Sequence, residues 1–330
     1  MAPMKDVTDA AFRQVVAKRG APAVFWTEFV SADGLYHTRP VRDKTSEMSG
    51  LACAGVSNGT REIKKMKDEE NPLMGILAKS AVERPIVAQI FSSKSDMIAY
   101  ATKLVAELGF DGVDINMGCP DRAIEKQGCG AAMMKNPKLA QEIIRTAQKA
   151  SSLPVSVKTR IGYNTESLDE WLTALLETGP AAITLHLRTR KEMSLVPADW
   201  ELMKKAVEIR NRVNPDVLLI GNGDVQDIAD AQAKVAQSGC DGAMLGRAMF
   251  GNPWVFAGRK SGDTPLAEKL AALIELAQDF EKLTPRKNFS ILKKHIKAFV
   301  TGFDGAAELR AKLMETESAA ALAAAIAERI

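Results

Sequence analysis

The sequence predicts a (β/α)8 barrel followed by a small all-helical C-terminal domain. Short apolar, strand-like runs alternate with helix-like stretches as far as Arg259, a pattern typical of parallel β–α–β units. Nearly every run ends on a polar residue, and active sites of such barrels lie where the strands end. Beyond Gly258 no strand-like run follows. We therefore expect a catalytic barrel over residues 1–259 and a helical domain over residues 260–330.

Eight strand-like runs define the predicted barrel, and their number favours closure over an open sheet. The first run has very few residues, so we expect weak pairing there. Helix-like stretches such as Ser95–Leu108 and Pro137–Ala150 separate later runs. The eight runs lie near Ala2–Met4, Ala23–Phe29, Ile86–Gln89, Gly112–Asn116, Val155–Lys158, Ala182–His186, Val217–Gly221 and Gly242–Leu245.

Length and composition are those of an ordinary soluble protein. A barrel takes ~250 residues, so a chain of 330 residues leaves room for an appendage. The longest apolar runs are far shorter than the ~20 residues of a membrane span. The four cysteines lack the paired spacing of metal sites. We expect a cytoplasmic monomer without metal or membrane attachment, and the net charge of +3 is only a weak indication of a nucleic-acid partner.

Two glycine-containing loops follow the seventh and eighth predicted strands. The first carries Asn222, Gly223 and Asp224, and the second carries Gly246 and Arg247. Glycine allows the backbone to approach a phosphate closely, and the loops after strands seven and eight are the usual phosphate site of this barrel. A guanidinium such as that of Arg247 can add a charged fork.

Polar residues at other strand ends are suited to a cofactor or a base. Lys158 is suited either to stabilising the negative charge of a reduced flavin or to forming a Schiff base. The amides of Gln89 and Asn116 both donate and accept hydrogen bonds, as an isoalloxazine or uracil edge requires. His186, with Arg188 just beyond it, belongs to the same set of strand ends.

Cys119 lies in the turn Gly118-Cys119-Pro120 at the end of the fourth run. A free thiol has a pKa of about 8.5, so it is protonated at neutral pH. Cys119 is therefore a candidate general acid as well as a latent nucleophile. Cys129 lies ten residues further on, and no pattern assigns it a role.

A basic stretch lies within the predicted helical domain. Residues 282–297 contain six lysines or arginines and no acidic residue. Helical spacing of the apolar residues leaves Lys293, Lys294 and Lys297 off the core face. Such a face is suited to RNA phosphates, although it is equally consistent with a solvated helix surface.

Taken in order, these motifs resemble those of the tRNA-dihydrouridine synthases, a family of FMN-dependent enzymes. The resemblance covers almost the whole chain, and its most specific elements are Asn-x-Gly-Cys-Pro and His-x-Arg-Thr. The matching segments include Ala2–Met4, Thr27–Glu28, Gln89, Asn116–Pro120, Gly128–Ala131, Lys158–Gly162, His186–Thr189, Gly221–Asp224, Gly246–Ala248 and Lys294–His295.

The resemblance implies a role for each matching residue. Cys119 would protonate the substrate, Asn116 and Arg188 would face the substrate uridine, and the helical domain would hold tRNA. NADPH or NADH would act as reductant. The residues implied in FMN binding are Ala2, Pro3, Met4, Gln89, Lys158, His186, Asn222, Gly223, Asp224, Gly246 and Arg247.

Three other functions remain open at this stage. One is an FMN barrel acting on a free pyrimidine, as in dihydroorotate dehydrogenases, which share the phosphate loops. The second is a Schiff-base aldolase using Lys158. The third is a non-catalytic RNA-binding flavoprotein. The basic helical appendage favours an RNA substrate over a free pyrimidine.

Overall fold

The computed structural model describes residues 1–38 and 71–328. Its centre is one sheet of eight parallel strands in the order β1-β3-β4-β5-β6-β7-β8, with β2 also paired to β3. This confirms the predicted α/β barrel class. The strands are β1 (Phe25–Trp26), β2 (Val30–Ser31), β3 (Ile86–Phe91), β4 (Gly112–Met117), β5 (Val155–Arg160), β6 (Ala182–His186), β7 (Leu218–Asn222) and β8 (Gly242–Met244).

The strand register brings the predicted polar residues to the same end of the sheet. Asn116 pairs with Lys158 across β4 and β5. His186 pairs with Asn222 across β6 and β7. Since all strands are parallel, their carboxyl ends meet at one face, where a barrel places its active site.

The predicted first strand is wrong. Residues 1–4 form no strand, and Pro3 has no N–H with which to continue a ladder. Single hydrogen bonds hold the segment instead: Ala2 donates its backbone N–H to the Leu245 carbonyl at 2.7 Å, and the Met1 amino group donates to the Val24 carbonyl at 3.1 Å. These residues therefore bridge the edges formed by β8 and β1.

The predicted run Ala23–Phe29 is also broken in the structure. Trp26 pairs with Val87 and Val30 pairs with Ile90, so three residues of one strand lie opposite two of the other. This extra residue is a β-bulge, which bends a strand and interrupts its ladder. The run therefore becomes β1 and β2, and β2 lies beyond the predicted end.

Helices surround the sheet and continue to the C-terminus. α6 shows why they form where they do: the Asn136 side chain caps it by accepting from the Leu139 N–H, and Ile143 and Ile144 face the core. The helices are α1 (Ala10–Ala17), α2 (Ala32–Thr38), α3 (Pro72–Ile76), α4 (Ser95–Glu107), α5 (Arg122–Glu125), α6 (Pro137–Ala150), α7 (Leu168–Leu176), α8 (Glu201–Val213), α9 (Ile228–Ser238), α10 (Leu266–Glu281), α11 (Lys293–Phe299), α12 (Ala306–Met314) and α13 (Ala319–Ala327).

The C-terminal helices α10–α13 share one hydrophobic core with the barrel. Arg19, which follows α1, forms an ion pair with Glu275 of α10 at 2.5 Å. Lys287 forms an ion pair with the buried Glu28 at 3.0 Å and lies 3.8 Å from Asp9. A domain boundary at residues 259–260 stays a prediction. Over the described ranges, no helix combines the length and apolar character needed to cross a membrane.

Candidate active site

One cavity of about 320 Å³ opens at the carboxyl ends of the strands. It collects fourteen predicted site residues from segments that are far apart in the sequence. The three predicted lysines of the helical region do not line it. The fourteen are Ala2, Pro3, Met4, Gln89, Asn116, Cys119, Lys158, His186, Arg188, Asn222, Gly223, Asp224, Gly246 and Arg247.

A chain of side-chain hydrogen bonds runs through β3 and β4 to the cysteine. The carboxylate of Asp114 accepts from the Gln89 amide at 2.6 Å, and Gln89 Oε1 accepts from the Asn116 amide at 3.0 Å. Asn116 Oδ1 then accepts from the backbone N–H of Cys119 at 3.0 Å. Because an ionised carboxylate can only accept, Asp114 fixes which way each amide points. We call Asp114, Gln89 and Asn116 the amide chain.

Asp114 is fully buried and is not among the site residues predicted from the sequence. Its second carboxylate oxygen accepts from the Ser156 hydroxyl at 2.6 Å. Burial raises the pKa of Asp114 to about 6, whereas the hydrogen bonds from Ser156 and Gln89 act in the opposite direction. A charged residue inside the apolar run Gly112–Asn116 was the available signal, since such a residue is buried only when it has partners.

The Cys119 thiol lies at the cavity wall on a tightly packed loop. A Cβ atom at Gly130 would come within 2.6 Å of the Cys119 carbonyl oxygen, so only glycine leaves room for this approach. The Ala131 N–H donates to the same carbonyl at 2.9 Å. Burial raises the pKa of the Cys119 thiol, which keeps the proton on sulfur at neutral pH. The arrangement suits a proton donor better than a thiolate nucleophile.

Lys158 extends from β5 into the cavity and donates a hydrogen bond to Asn222 Oδ1 at 3.0 Å. Asn222 in turn donates to the Met244 carbonyl at 2.8 Å. Burial, assisted by the positive charge of Arg160, lowers the pKa of Lys158 to about 8. No ion pair with a carboxylate involves Lys158 within residues 1–38 and 71–328. The ammonium group therefore retains donor capacity for an anionic ligand.

Asp224, in the loop that follows β7, joins two arginines. Its carboxylate forms short ion pairs with the buried Arg188 and with the exposed Arg247. Two guanidinium groups thus share one carboxylate, which leaves this corner with a net positive charge. Asp224 has a left-handed backbone conformation with φ of 51°, which is a few-per-cent event outside glycine and is tolerated best by Asp and Asn.

His186 lies beside this corner as a neutral ring. Arg188 Nη1 lies 3.1 Å from His186 Nε2, so this nitrogen accepts and Nδ1 carries the proton. Burial lowers the pKa of His186, and the positive charges of Lys158 and Arg160 lower it further. His186 is therefore a hydrogen-bonding group in this cavity and not an additional cation.

Arg160 is a further cavity residue to which the sequence analysis assigned no role, although it stands within the motif Lys158–Gly162. It donates to the Gly118 carbonyl at 2.8 Å and to the Met193 carbonyl at 3.0 Å. It therefore ties the cysteine turn to the loop after β6. Burial lowers the pKa of Arg160 to about 10, so its guanidinium is still charged at neutral pH.

These residues fit a flavin with a phosphate group. Lys158 offers a cation that no carboxylate of the described residues neutralises, and the two amides of the amide chain line the cavity and both donate and accept hydrogen bonds. At Gly246 an added Cβ would find its nearest neighbours, Ala2 Cβ and Met4 Sδ, at 3.7 and 3.8 Å, so the loop backbone is accessible from the cavity. Arg247 is 64% exposed at the mouth. This is the donor set that a phosphate and an isoalloxazine ring require.

The three predicted lysines lie outside the cavity on α11. Lys293, Lys294 and Lys297 are all exposed, while Leu292 and Ile296 are buried beneath them. Lys294 Nζ lies 3.7 Å from the Asp6 carboxylate, just beyond the cavity residues Ala2–Met4. The predicted solvent-facing position is therefore correct, and a role in RNA binding stays a prediction.

Comparisons with known sequences agree on one family. A sequence model described as dihydrouridine synthase matches residues 1–330. The chain is 37% identical over 321 residues to a probable tRNA-dihydrouridine synthase 2 of Bacillus subtilis (strain 168), covering 96% of this chain and 89% of that protein. It is 36% identical over 323 residues to a probable tRNA-dihydrouridine synthase of Staphylococcus aureus (strain COL), covering 97% and 89%.

Solved structures share the fold at low sequence identity. Histamine dehydrogenase from Rhizobium sp. 4-9 superposes with a TM-score of 0.51 at 12% identity. The match covers 83% of this chain, which spans only 46% of that longer protein. A mutant of morphinone reductase in complex with tetrahydroNAD gives a TM-score of 0.50 at 12% identity, covering 80% of this chain and 86% of that one. These likenesses concern the fold alone.

Proposed function

Because the chain belongs to the dihydrouridine synthase family, we propose that it reduces the C5=C6 bond of specific uridines in tRNA to 5,6-dihydrouridine. The membership confirms the predicted flavin-dependent oxidoreductase. The observation that carries the finer proposal is the meeting of Cys119, Asn116 and Lys158 in one cavity. These residues supply an acid, a base-recognising amide and a cation within reach of one bound ring system.

We propose FMN as the cofactor of this cavity. Lys158 and the amide of Gln89 would hold its ring, and Asn222 would keep the lysine in place. The exposed guanidinium of Arg247, which Asp224 holds in place, would bind its phosphate together with the Gly246 loop. When bound and reduced by NADPH or NADH, FMN supplies the hydride for the base.

Cys119 would supply the proton. Addition of hydride at C6 of uracil places negative charge toward C5, and the Cys119 thiol transfers its proton to C5 as that charge develops. The C5=C6 double bond becomes a single bond, and the thiolate regains a proton from solvent. The raised pKa of the thiol keeps this donor loaded at neutral pH.

Access to the cavity requires a base outside its stack. A uridine within folded tRNA must be unstacked and turned inward before it reaches Cys119. Asn116 and Arg188 would then recognise the uracil edge. Lys293, Lys294 and Lys297 would contact phosphates, with the helical region of residues 260–330 holding the tRNA in the cytoplasm.

The test is a reaction of the FMN-loaded protein with NADPH and an unmodified tRNA transcript. Mass spectrometry of the nucleosides should detect dihydrouridine, and mapping should place it at one or a few positions. Dihydroorotate and free uridine serve as competing substrates. Turnover of either without any change in tRNA would exclude the proposal in favour of a free-pyrimidine oxidoreductase. Binding of tRNA without turnover of any pyrimidine would favour the non-catalytic alternative.

A further inference from the structure

The loop that follows β6 exposes three apolar side chains at the cavity mouth. We call residues 189–197 the rim loop. Met193, Leu195 and Val196 are 45%, 84% and 40% exposed, and Ser194 between them lines the cavity. Exposed apolar clusters of this kind mark an interaction surface, whereas isolated exposed residues need no explanation.

Among the residues that the structure describes, other large apolar side chains are seldom exposed. Over residues 1–38 and 71–328 only two more reach the same level, Val82 at 58% and Leu218 at 49%. Leu218 begins β7 and Val82 precedes β3 by four residues, so both lie toward the amino ends of the strands. The cluster is therefore confined to the face that carries the cavity.

The backbone of the rim loop is fixed by buried cavity residues. Arg160 donates to the Met193 carbonyl at 3.0 Å, and Arg188 donates to the Val196 carbonyl at 2.6 Å. Both arginines are almost fully buried. Met193 has a left-handed conformation with φ of 54°, which is uncommon and unfavourable for a residue other than glycine. The loop is thus held in a shape that keeps its apolar side chains out of the core.

The charges around the rim loop favour a polyanionic partner. Lys191 is exposed beside the apolar cluster, and Lys135 lies 3.9 Å above the ring of Tyr163. Arg247 is exposed on the far side of the cavity. The nearby Glu125 is engaged in an ion pair with Arg190. Glu192, the acidic residue within the rim loop, accepts a hydrogen bond from the Thr189 N–H at 2.7 Å. An apolar tip flanked by exposed cations is suited to nucleic acid, whose bases are apolar on their faces and whose phosphates are negative.

We propose that Met193, Leu195 and Val196 form an apolar wedge that packs against the bases flanking the target uridine and keeps that uridine unstacked. This inference rests on the proposed function, because only a substrate inside folded RNA needs to be unstacked. Apolar side chains inserted beside a displaced base replace the stacking energy that the neighbouring bases lose. The position of Ser194 in the cavity wall places the wedge directly beside the entrance.

The experiment places 2-aminopurine next to the uridine that the wild-type enzyme reduces in a tRNA transcript. This analogue brightens when its neighbour unstacks. Binding of the FMN-loaded wild type should raise the fluorescence. Leu195→Ala should reduce this rise about threefold. Leu195→Met keeps an apolar tip and should restore the signal. Leu218→Ala, the same change at an exposed leucine far from the cavity, is the matched control.

Turnover separates the wedge from the chemistry. Leu195→Ala should lower turnover of folded tRNA about tenfold while leaving the flavin spectrum unchanged. Equal fluorescence and equal turnover for Leu195→Ala and wild type would overturn the wedge, and the cluster would then serve a protein partner. If the wild type forms no dihydrouridine in tRNA, the proposed function itself fails, and the wedge fails with it.

Discussion

The two walls of the cavity are organised by opposite principles. On the side of β3 and β4, neutral amides are linked in a directed chain that ends at the buried carboxylate of Asp114. On the side of β5 to β8, Lys158 and two arginines outnumber the one carboxylate of Asp224. The amides of the first wall are oriented by contacts within the protein, whereas the second wall has charge left over for a ligand. The first wall therefore orients the groups that face a ligand, and the second wall supplies the charge that binds it.

The largest expected effect tests the end of the amide chain. Cys119→Ala should lower turnover by about 10²–10⁴-fold, the usual contribution of a positioned general acid. Flavin absorbance should persist, because the groups proposed to hold the cofactor, among them Lys158 and Arg247, are unchanged. Cys129→Ala is the matched control, since Cys129 is a second thiol in the same loop and is buried away from the cavity. Unchanged turnover in Cys119→Ala would contradict the proposed role of Cys119 as proton donor.

The second prediction concerns stability against pH, where the two walls should have opposite slopes. Burial raises the pKa of Asp114 from 3.8 to about 6. The contribution of this group to the free energy of unfolding is therefore fully present below about pH 4 and is lost as pH rises through 6. The loss is on the order of 3 kcal/mol. Burial lowers the pKa of Lys158 from 10.5 to about 8, so the unfolded chain binds more protons between those values and stability rises with pH there.

Urea unfolding of wild type, Asp114→Asn and Lys158→Met across pH 4–10 measures both slopes. The difference between wild type and Asp114→Asn should fall from pH 4 to 6. The difference between wild type and Lys158→Met should rise above pH 8. Parallel curves for all three proteins would show that neither group titrates as its burial requires.

A third prediction tests whether the carboxylate directs the amides. Asp114→Asn introduces a donor where only an acceptor stood, so Gln89 and Asn116 can reverse and the Cys119 N–H loses its partner. We expect about tenfold slower turnover, equivalent to 1.4 kcal/mol, with flavin retained. Ser156→Ala keeps the carboxylate but removes one of its hydrogen bonds and so raises its pKa further; at alkaline pH, where Asp114 stays ionised, turnover should be nearly that of the wild type. Wild-type turnover in Asp114→Asn would mean that the chain is mere packing.

The smallest effect is expected outside the cavity. Changing Lys293, Lys294 and Lys297 together to glutamine should weaken tRNA binding and lower its salt dependence, by ~0.7–0.9 in logarithmic slope per lost phosphate contact. Three exposed lysines on α4 and α6, Lys103, Lys138 and Lys149, provide a control of equal charge. Equal binding by both triple variants would restrict the functional cations to the cavity wall.

Sequence patterns predicted most of the cavity residues. In a parallel barrel the polar residues at the strand ends lie on one face, so locating the strands in the sequence is enough to find them. The strands from β3 to β8 lie within a few residues of their predicted places. The role of Asp114 was not predicted, because its partners Gln89 and Ser156 belong to neighbouring strands. Only the strand register brings the three residues together. The first strand failed because single hydrogen bonds from residues 1–4 replace a ladder.

The basic stretch illustrates the same limit in another way. Lys287 is counted with the surface lysines in the sequence, yet its side chain is only 19% exposed and neutralises Glu28. Because Glu28 lies 259 residues away in the sequence, the residues around Lys287 give no indication that the two side chains are paired. Local spacing therefore predicted the exposed face of α11 correctly and gave no indication of the ion pair just before it.

The Lys287–Glu28 ion pair also restricts which helical regions can be combined with this barrel. Glu28 is 3% exposed, and burial already raises its pKa against the influence of Lys287. Replacing Lys287 by an uncharged residue would leave this buried carboxylate without its cation, at a cost of about 3 kcal/mol. A chimaera that grafts a helical region from a relative must therefore bring a cation to the position of Lys287. Substitutions at Glu28 and at Lys287 are therefore expected to be tolerated only together.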